Sequence, residues 1–309
     1  MRINYRRLLV LSLIIWVCGA AFLPGESLTQ FPGTNLYFEL PEGFSWNTKY
    51  NAFTGPLQTS LTIGISTYPY DQIVQQITTT MKSNTQAELV ESQISPNNSF
   101  FHIRNNSFEQ LMYIIATKGY VYTLTYMGVP LLDKHFMNRY ARIRDTITIN
   151  PEKVGDIQEL QFFALPNQGF FFTQLVSIRH YFQKNYPDGN SAIVSIGKIP
   201  EIKQETIIKR YGSYMNYYTQ IALNNEKAKG QSITNKEQTI CKNESTGSEG
   251  YEILLQYKNS ENVVTFLYNC FFVVGDNVII IEGQPMKGYA SQIVEDLKEL
   301  SRNTVFTFK

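Results

Sequence analysis

The chain has 309 residues, 43% hydrophobic and 17% charged, with 20 Phe, 20 Tyr and 2 Trp and a formal net charge of +1. That length leaves room for two domains of ordinary size, each able to bury its own core, and the composition excludes a disordered chain. Arg2, Arg6 and Arg7 crowd the extreme amino terminus. The other 24 basic residues stand against 26 acidic ones, so no concentrated basic face for nucleic acid is expected.

The amino terminus reads MRINYRRLLVLSLIIWVCGAAFLPGE. Three arginines precede the apolar run Leu8 to Val17, and Gly19, Ala20 and Ala21 follow. This is the order of a secretory signal peptide, expected over residues 1–21, and the run is short for a bilayer span of about 20 residues. Two alternatives stay open. Cys18 is a lipidation point of bacterial lipoprotein type, although Trp16 and Val17 fit that signal poorly; or the apolar stretch through Leu23 stays uncut as an anchor. All three readings place the body of the protein outside the cytoplasm, in the periplasm or beyond the cell. Membrane contact is then expected only through an uncleaved or lipidated amino terminus.

Next comes YFELPEGFSW, Tyr37 to Trp46, in which aromatic residues lead into Leu-Pro and a turn on Gly43. The following LTIGISTYPYDQIVQQITTTM alternates as a strand, stops at Pro69 and passes into a helix with Ile73, Val74, Ile77 and Met81 on one stripe. FFHIRNNSFEQLMYIIATKGYVYTLTYMG reads as an antiparallel meander with turns at Asn105 to Ser107 and at Lys118-Gly119. A helix is predicted over Leu131 to Thr146 with Leu132, Phe136, Tyr140 and Ile143 inward, and then a short extended tail, TITIN.

After the expected linker, Pro151 to Leu160, the same order returns. FFALPNQGFFF, Phe162 to Phe172, echoes the opening phrase with Gly169 in the place of Gly43. AIVSIGKIPEIKQETIIKRYGSYM stops at Pro200 and predicts a helix with Ile207, Ile208, Tyr211 and Met215 in the register of the first stripe. The meander YEILLQYKNSENVVTFLYNCFFVVGDNVIIIEG turns at Asn259 to Asn262 and at Gly275 to Asn277. A helix over Met286 to Leu300, with Tyr289, Ile293, Leu297 and Leu300 inward, and the tail TVFTF close the chain. The expected organisation is therefore a duplicated unit of about 120 residues, with domains over 36–150 and 161–309. The expected class is α+β, as two tandem antiparallel sheets flanked by helices, each an α/β/α sandwich. The second copy departs from the first in the longer excursion NNEKAKGQSITNKEQ.

This element order, with the openings LPEGF and LPNQGF, resembles the PsbP-like fold. That group includes an extrinsic protein of the photosynthetic water-oxidising complex, a Ran-binding nuclear-import factor and many exported bacterial proteins. The resemblance implies a non-enzymatic binding or assembly module without a cofactor, and it transfers no functional residue to this chain.

Few residues carry a chemical signal. His102, opposite in face to Phe101 and Ile103, reads as a solvated strand position, and His135 as a helix surface position. His180 is the most suggestive of the three histidines, because Arg179, Lys184 and Asp188 lie near it in SIRHYFQKNYPDG. No pair of histidines has a metal-ligand spacing and no cysteines form C-x-x-C, so no metal site is expected; a Gly-rich phosphate loop and a G-x-S-x-G elbow are also lacking. Tyr211 and Tyr218 continue the helical stripe, whereas Tyr214 and Tyr217 flank it and form a candidate ligand ledge together with His180 as a candidate binding residue. Outside the leader only Cys241 and Cys270 remain. A disulfide suits an exported chain, but if the two lie on the first and third strands of a meander they stand about 9.5 Å apart, beyond the roughly 7 Å a disulfide spans. Two separate buried thiols are the alternative.

The functional expectation is an exported binding or scaffolding protein of the cell envelope, not an enzyme, whose partner is an envelope protein or a glycan or peptide ligand. The alternative is an envelope enzyme, a hydrolase with a site in the second domain built from residues such as His180 and Asp188.

Overall fold

A computed structural model describes residues 28–307 apart from 84–86, 106, 154, 200–203, 229–231 and 259–261. The expected leader, Cys18, Pro200 and most of the Asn259 to Asn262 turn lie outside the described residues.

The first half contains β1 (Thr29–Gln30), β2 (Leu36–Phe38), β3 (Ser45–Asn47), β4 (Ala52–Thr54), β5 (Ser60–Ser66), α1 (Tyr70–Ser83), β6 (Ala87–Ile94), β7 (Asn98–Asn105), β8 (Glu109–Ala116), β9 (Val121–Gly128), α2 (Phe136–Thr146) and β10 (Thr148–Ile149). A 3₁₀ turn at Ile157–Leu160 leads into the second half. This comprises β11 (Phe163–Ala164), β12 (Phe171–Val176), β13 (Arg179–Asn185), β14 (Ser191–Ile199), α3 (Gln204–Tyr211), α4 (Tyr214–Ala228), β15 (Ser232–Lys242), β16 (Glu249–Lys258), β17 (Val264–Val274), β18 (Asn277–Pro285), α5 (Ser291–Asn303) and β19 (Val305–Phe306).

The architecture corrects the expectation of two separate helix-flanked sandwiches. Among the described residues strand dominates, and a 14-stranded antiparallel sheet runs β15-β16-β17-β18-β14-β13-β12-β5-β9-β8-β7-β6, with β3 and β4 beside β5. The cause is a short strand. On β5, β4 reaches only Ser60, Leu61 and Thr62, which leaves the second half of that edge with unpaired backbone groups. β12 takes that edge, placing Gln174, Leu175 and Val176 opposite Ser66, Ile65 and Gly64. Thr67 extends the seam by donating its backbone N–H (2.9 Å) and its hydroxyl (3.1 Å) to the Thr173 carbonyl. Pairing satisfies donors and acceptors that would otherwise be left bare on an edge.

Strand order nevertheless reads the same way in both halves. β3-β4-β5-β9-β8-β7-β6 matches β12-β13-β14-β18-β17-β16-β15, and the small pairings of β2 with β10 and of β11 with β19 correspond. Gly43 (φ +83°) and Gly169 (φ +77°) occupy the expected turns, both in the left-handed region that glycine enters without a Cβ penalty. The two outermost strands, β6 and β15, each carry a bulge, between Leu89 and Glu91 and between Ile233 and Asn235. With their exposed charges these bulges discourage further strand addition. Much of the expected excursion in the second copy is the amino-terminal part of β15.

Helices depart from prediction at their starts. α2 begins at Phe136, leaving Leu132 exposed; ahead of it the buried Asp133 carboxylate accepts from the His135 N–H (3.0 Å) and from Arg139 Nη1 (2.6 Å). α5 begins at Ser291, leaving Tyr289 exposed, while Ile293, Leu297 and Leu300 are buried as expected. The helix predicted through Met215 is broken at Gly212 (φ +77°), so Ile207 lies on α3 and Met215 on α4. Ile73 and Ile207 are both buried, but the common stripe does not continue on one helix in the second half.

The segment expected as a linker is docked on the first half. Ile157 and Leu160 join the cluster around Phe31, Leu36 and Phe53. Asn35 Nδ2 donates to the carbonyls of Asn150 (3.0 Å) and Lys153 (2.9 Å), and the Gly33 N–H donates to Glu159 (2.8 Å).

Candidate functional site

α1 lies across one face of the first half, where Ile73 and Val74 pack with Phe101, Ile103, Ile114 and Val121. Helix α2 packs on the opposite face against Phe100, Leu124 and Tyr126. Alternation along β5 sends Leu61, Ile63 and Ile65 toward the α2 side and Thr62, Gly64 and Ser66 toward the α1 side. The latter residues are small, and Thr123 and Thr125 of β9 lie beside them. α1 does not cover this strip. Between α1, β5, β9 and the seam with β12 lies a cleft of about 480 Å³, mostly apolar, walled by Ile77 and Met81 of α1 and by Met112, Met127 and Val176 of the sheet. Its remaining polar groups come from threonine, serine and glutamine. Among the described residues no Asp, Glu, Lys, Arg, His, Cys or Tyr lines it. The size matches pockets that enclose small ligands, and the lining can hold an apolar molecule without compensating any charge.

The related face of the second half is filled. By strand register Ile280 and Glu282 of β18 stand where β9 presents Thr123 and Thr125; Ile280 packs under α4, whose Tyr218 stacks on Phe271 at 4.1 Å between ring centroids. Arg179 lies over the small residues of β14: a Cβ at Gly197 would meet its Cγ at 2.8 Å, and its Nη1 donates to the Ser195 hydroxyl (3.3 Å).

Tyr214 and Tyr217, expected as a ledge, pack half-buried against this same cluster. Tyr214 stacks on Tyr218 (6.2 Å, 14° between planes), and Tyr217 meets Tyr211 (4.9 Å) and Tyr218 (5.0 Å). Their rings cover one another more than they face solvent. Tyr218 is fully buried as expected, and burial raises its phenol pKa above the ordinary value.

His180 is fully buried on β13, with Phe163 (5.2 Å) and Phe162 (6.1 Å) edge-on to its ring. Among the described residues neither ring nitrogen has a hydrogen-bond partner. Burial, helped by the positive charge of Lys198, pushes its pKa down to about 3, so the imidazole is neutral. Lys198 itself lies over the Phe162 ring at 5.2 Å and donates to the Thr48 carbonyl (3.2 Å). Asp188 is not brought to His180: its carboxylate caps the local turn by accepting from the Asn190 N–H (2.8 Å). Lys184 instead joins Tyr186 and Gln292 on Asp296. Burial opposes ionisation of Asp296, but these hydrogen bonds win and hold its pKa below the usual range.

The reading of His102 as solvated is corrected. It is buried, and its Nε2 lies 2.7 Å from Glu109, whose other oxygen accepts from Arg104 (2.8 Å). His135 is exposed, as expected. Cys241 and Cys270 are free thiols with their sulfurs 3.8 Å apart. They lie on the first and third strands of the meander, as the geometric objection to a disulfide supposed.

Sequence reasoning missed the cleft. The available signal was the run of Thr and Gly at one-face positions of two neighbouring strands, Thr62, Gly64, Thr123 and Thr125.

No family model and no curated protein matches the chain. Among solved structures it is similar to the solution structure of cyanobacterial PsbP (CyanoP) from Synechocystis sp. PCC 6803, with 13% identity over 42% of this chain and 96% of that one, at a TM-score of 0.31. It is also similar to the crystal structure of the di-domain ARO/CYC BexL from the BE-7585A biosynthetic pathway, with 7% identity over 79% and 92% of the two chains, at a TM-score of 0.20. The first likeness is to a PsbP-like fold at most, and neither bears on function. No helix among the described residues is long and apolar enough to cross a membrane.

Proposed function

We propose that this chain is an exported, non-enzymatic binding or scaffolding protein of the cell envelope, built from a duplicated PsbP-like unit, and that the first-half cleft takes a small uncharged apolar ligand. The observation that carries the binding role is the cleft lining, open beside the seam and, among the described residues, without titratable side chains. Catalysis by acid, base or nucleophile needs such groups to converge on a substrate. An apolar ligand needs only apolar area, worth about 25 cal/mol per Å² removed from water. Matching strand orders and the paired turns at Gly43 and Gly169 support duplication. The arginine, apolar and small-residue order of the first 21 residues supports export. The binding reading is favoured over the hydrolase alternative because His180 is buried beneath Phe162 and Phe163 and has no carboxylate partner among the described residues.

The test is titration of the purified chain with a neutral environment-sensitive dye and with a monoacylglycerol, in parallel with Thr125→Trp, which places an indole over the cleft floor. Saturable binding at one site, weakened at least tenfold in the variant with unchanged melting temperature, is the expected result. Equal binding by both proteins, or no binding by either, would overturn the ligand assignment.

A further inference from the structure

The two thiols of the second half belong to a third group. Glu252 is paired directly opposite Cys270 in the β16–β17 register, and Gly250, two residues before it, is paired with Cys241 of β15. Side chains at paired positions share a face, so Cys241, Glu252 and Cys270 all point to the side covered by α5. Gly250 makes the approach feasible: a Cβ there would lie 2.8 Å from the Cys241 sulfur. With no side chain in the way, Cys241 leans across β16 toward Cys270. The result is two sulfurs and a carboxylate oxygen within 4.8 Å of one another.

We propose that Cys241, Cys270 and Glu252 form a binding site for a divalent thiophilic cation of the zinc class. Three observations carry this. The 3.8 Å sulfur separation equals the edge of a tetrahedron of thiolates around zinc, about 3.8 Å for Zn–S bonds of about 2.3 Å. A direct disulfide would instead draw together two strands held apart by β16, at about twice the usual strand spacing. The carboxylate is also held in place: Glu252 accepts from Arg302 Nε (2.9 Å) and Nη2 (2.8 Å) and from the Tyr268 hydroxyl (3.1 Å), the kind of outer partners that orient a metal ligand. Finally, charge selects the ion. Two thiolates, the Glu252 carboxylate and the Arg302 guanidinium leave two negative charges, which a divalent cation cancels and a monovalent one does not; buried sites favour neutrality. The site is on the opposite half from the apolar cleft and does not depend on its role.

The experiment uses the full chain, reduced and stripped with a chelator, titrated with Co²⁺ as an optical probe and then with Zn²⁺ as competitor. One Co²⁺ per chain is expected, with a near-ultraviolet thiolate-to-metal band that Zn²⁺ abolishes. Cys241→Ser, a change at a partly exposed position, should weaken binding at least tenfold and lower the band while the far-ultraviolet circular dichroism stays unchanged. If Cys241→Ser fails to fold, the wild-type titration decides alone. Absence of a thiolate band at millimolar Co²⁺ with both thiols free to alkylation would overturn the proposal, as would recovery of a Cys241–Cys270 cross-linked peptide from the untreated protein.

Discussion

Leu175 tests whether the two halves are mechanically one sheet. It sits on β12, in the second half of the chain, yet it is fully buried within the first half's core beside Ile63, Ile65 and Tyr122. Leu175→Ala removes a completely buried isobutyl group, which in such sites costs about 3 kcal/mol from lost transfer energy and the residual cavity. Trp46 provides the probe, because it packs on Phe31 (5.4 Å) and Phe53 (5.1 Å) in that same core. In a background carrying Trp16→Phe it is the only tryptophan. With a urea slope of about 2 kcal/mol per molar, the Trp46 fluorescence midpoint should fall by about 1.5 M. Leu297→Ala, an equally buried change beneath α5 and far from the seam, should shift that signal less. A Trp46 midpoint unmoved by Leu175→Ala would show that β12 contributes nothing to the first core and that the halves behave as separate domains.

Acid should destabilise the fold through His180. Its pKa is pushed down to about 3 in the folded chain against about 6.5 unfolded, so below pH 6.5 the unfolded state takes a proton that the folded state refuses. The contribution is fully present above pH 6.5 and is lost as pH falls toward 3, by an amount on the order of 5 kcal/mol; thermal melts of His180→Leu should show a correspondingly flatter acid limb than wild type. A second change, Arg302→Ala, strands the Glu252 carboxylate, whose side chain is only 4% exposed. Losing one partner of such a pair should lower stability by about 3 kcal/mol in chelator-treated protein, measured by urea unfolding, and a loss below about 1 kcal/mol would mean that water replaces the guanidinium.

Much of the local structure was readable from the residues alone. Leu61, Ile63 and Ile65 announce a strand by alternation, and Ile293, Leu297 and Leu300 a helix by their spacing, because those periods are properties of the chain itself. Gly43 and Gly169 mark their turns for the same reason: a positive φ is a local demand that glycine meets most cheaply. Helix starts were less readable, since Leu132 and Tyr289 fit the apolar stripe but lie before the first helical turn. What only the tertiary structure decided are the features made by partners distant in sequence. The seam depends on backbone groups of β5 left free by a short neighbouring strand, and an unpaired edge has no side-chain signature. Burial of His180 depends on Phe162 and Phe163 folding over it, and the cleft depends on α1 stopping short of a threonine floor. The Cys241, Glu252 and Cys270 cluster requires the register of three strands at once, with Gly250 vacant between the sulfurs. Residue spacing records neighbours along the chain, whereas these sites are set by neighbours across the sheet.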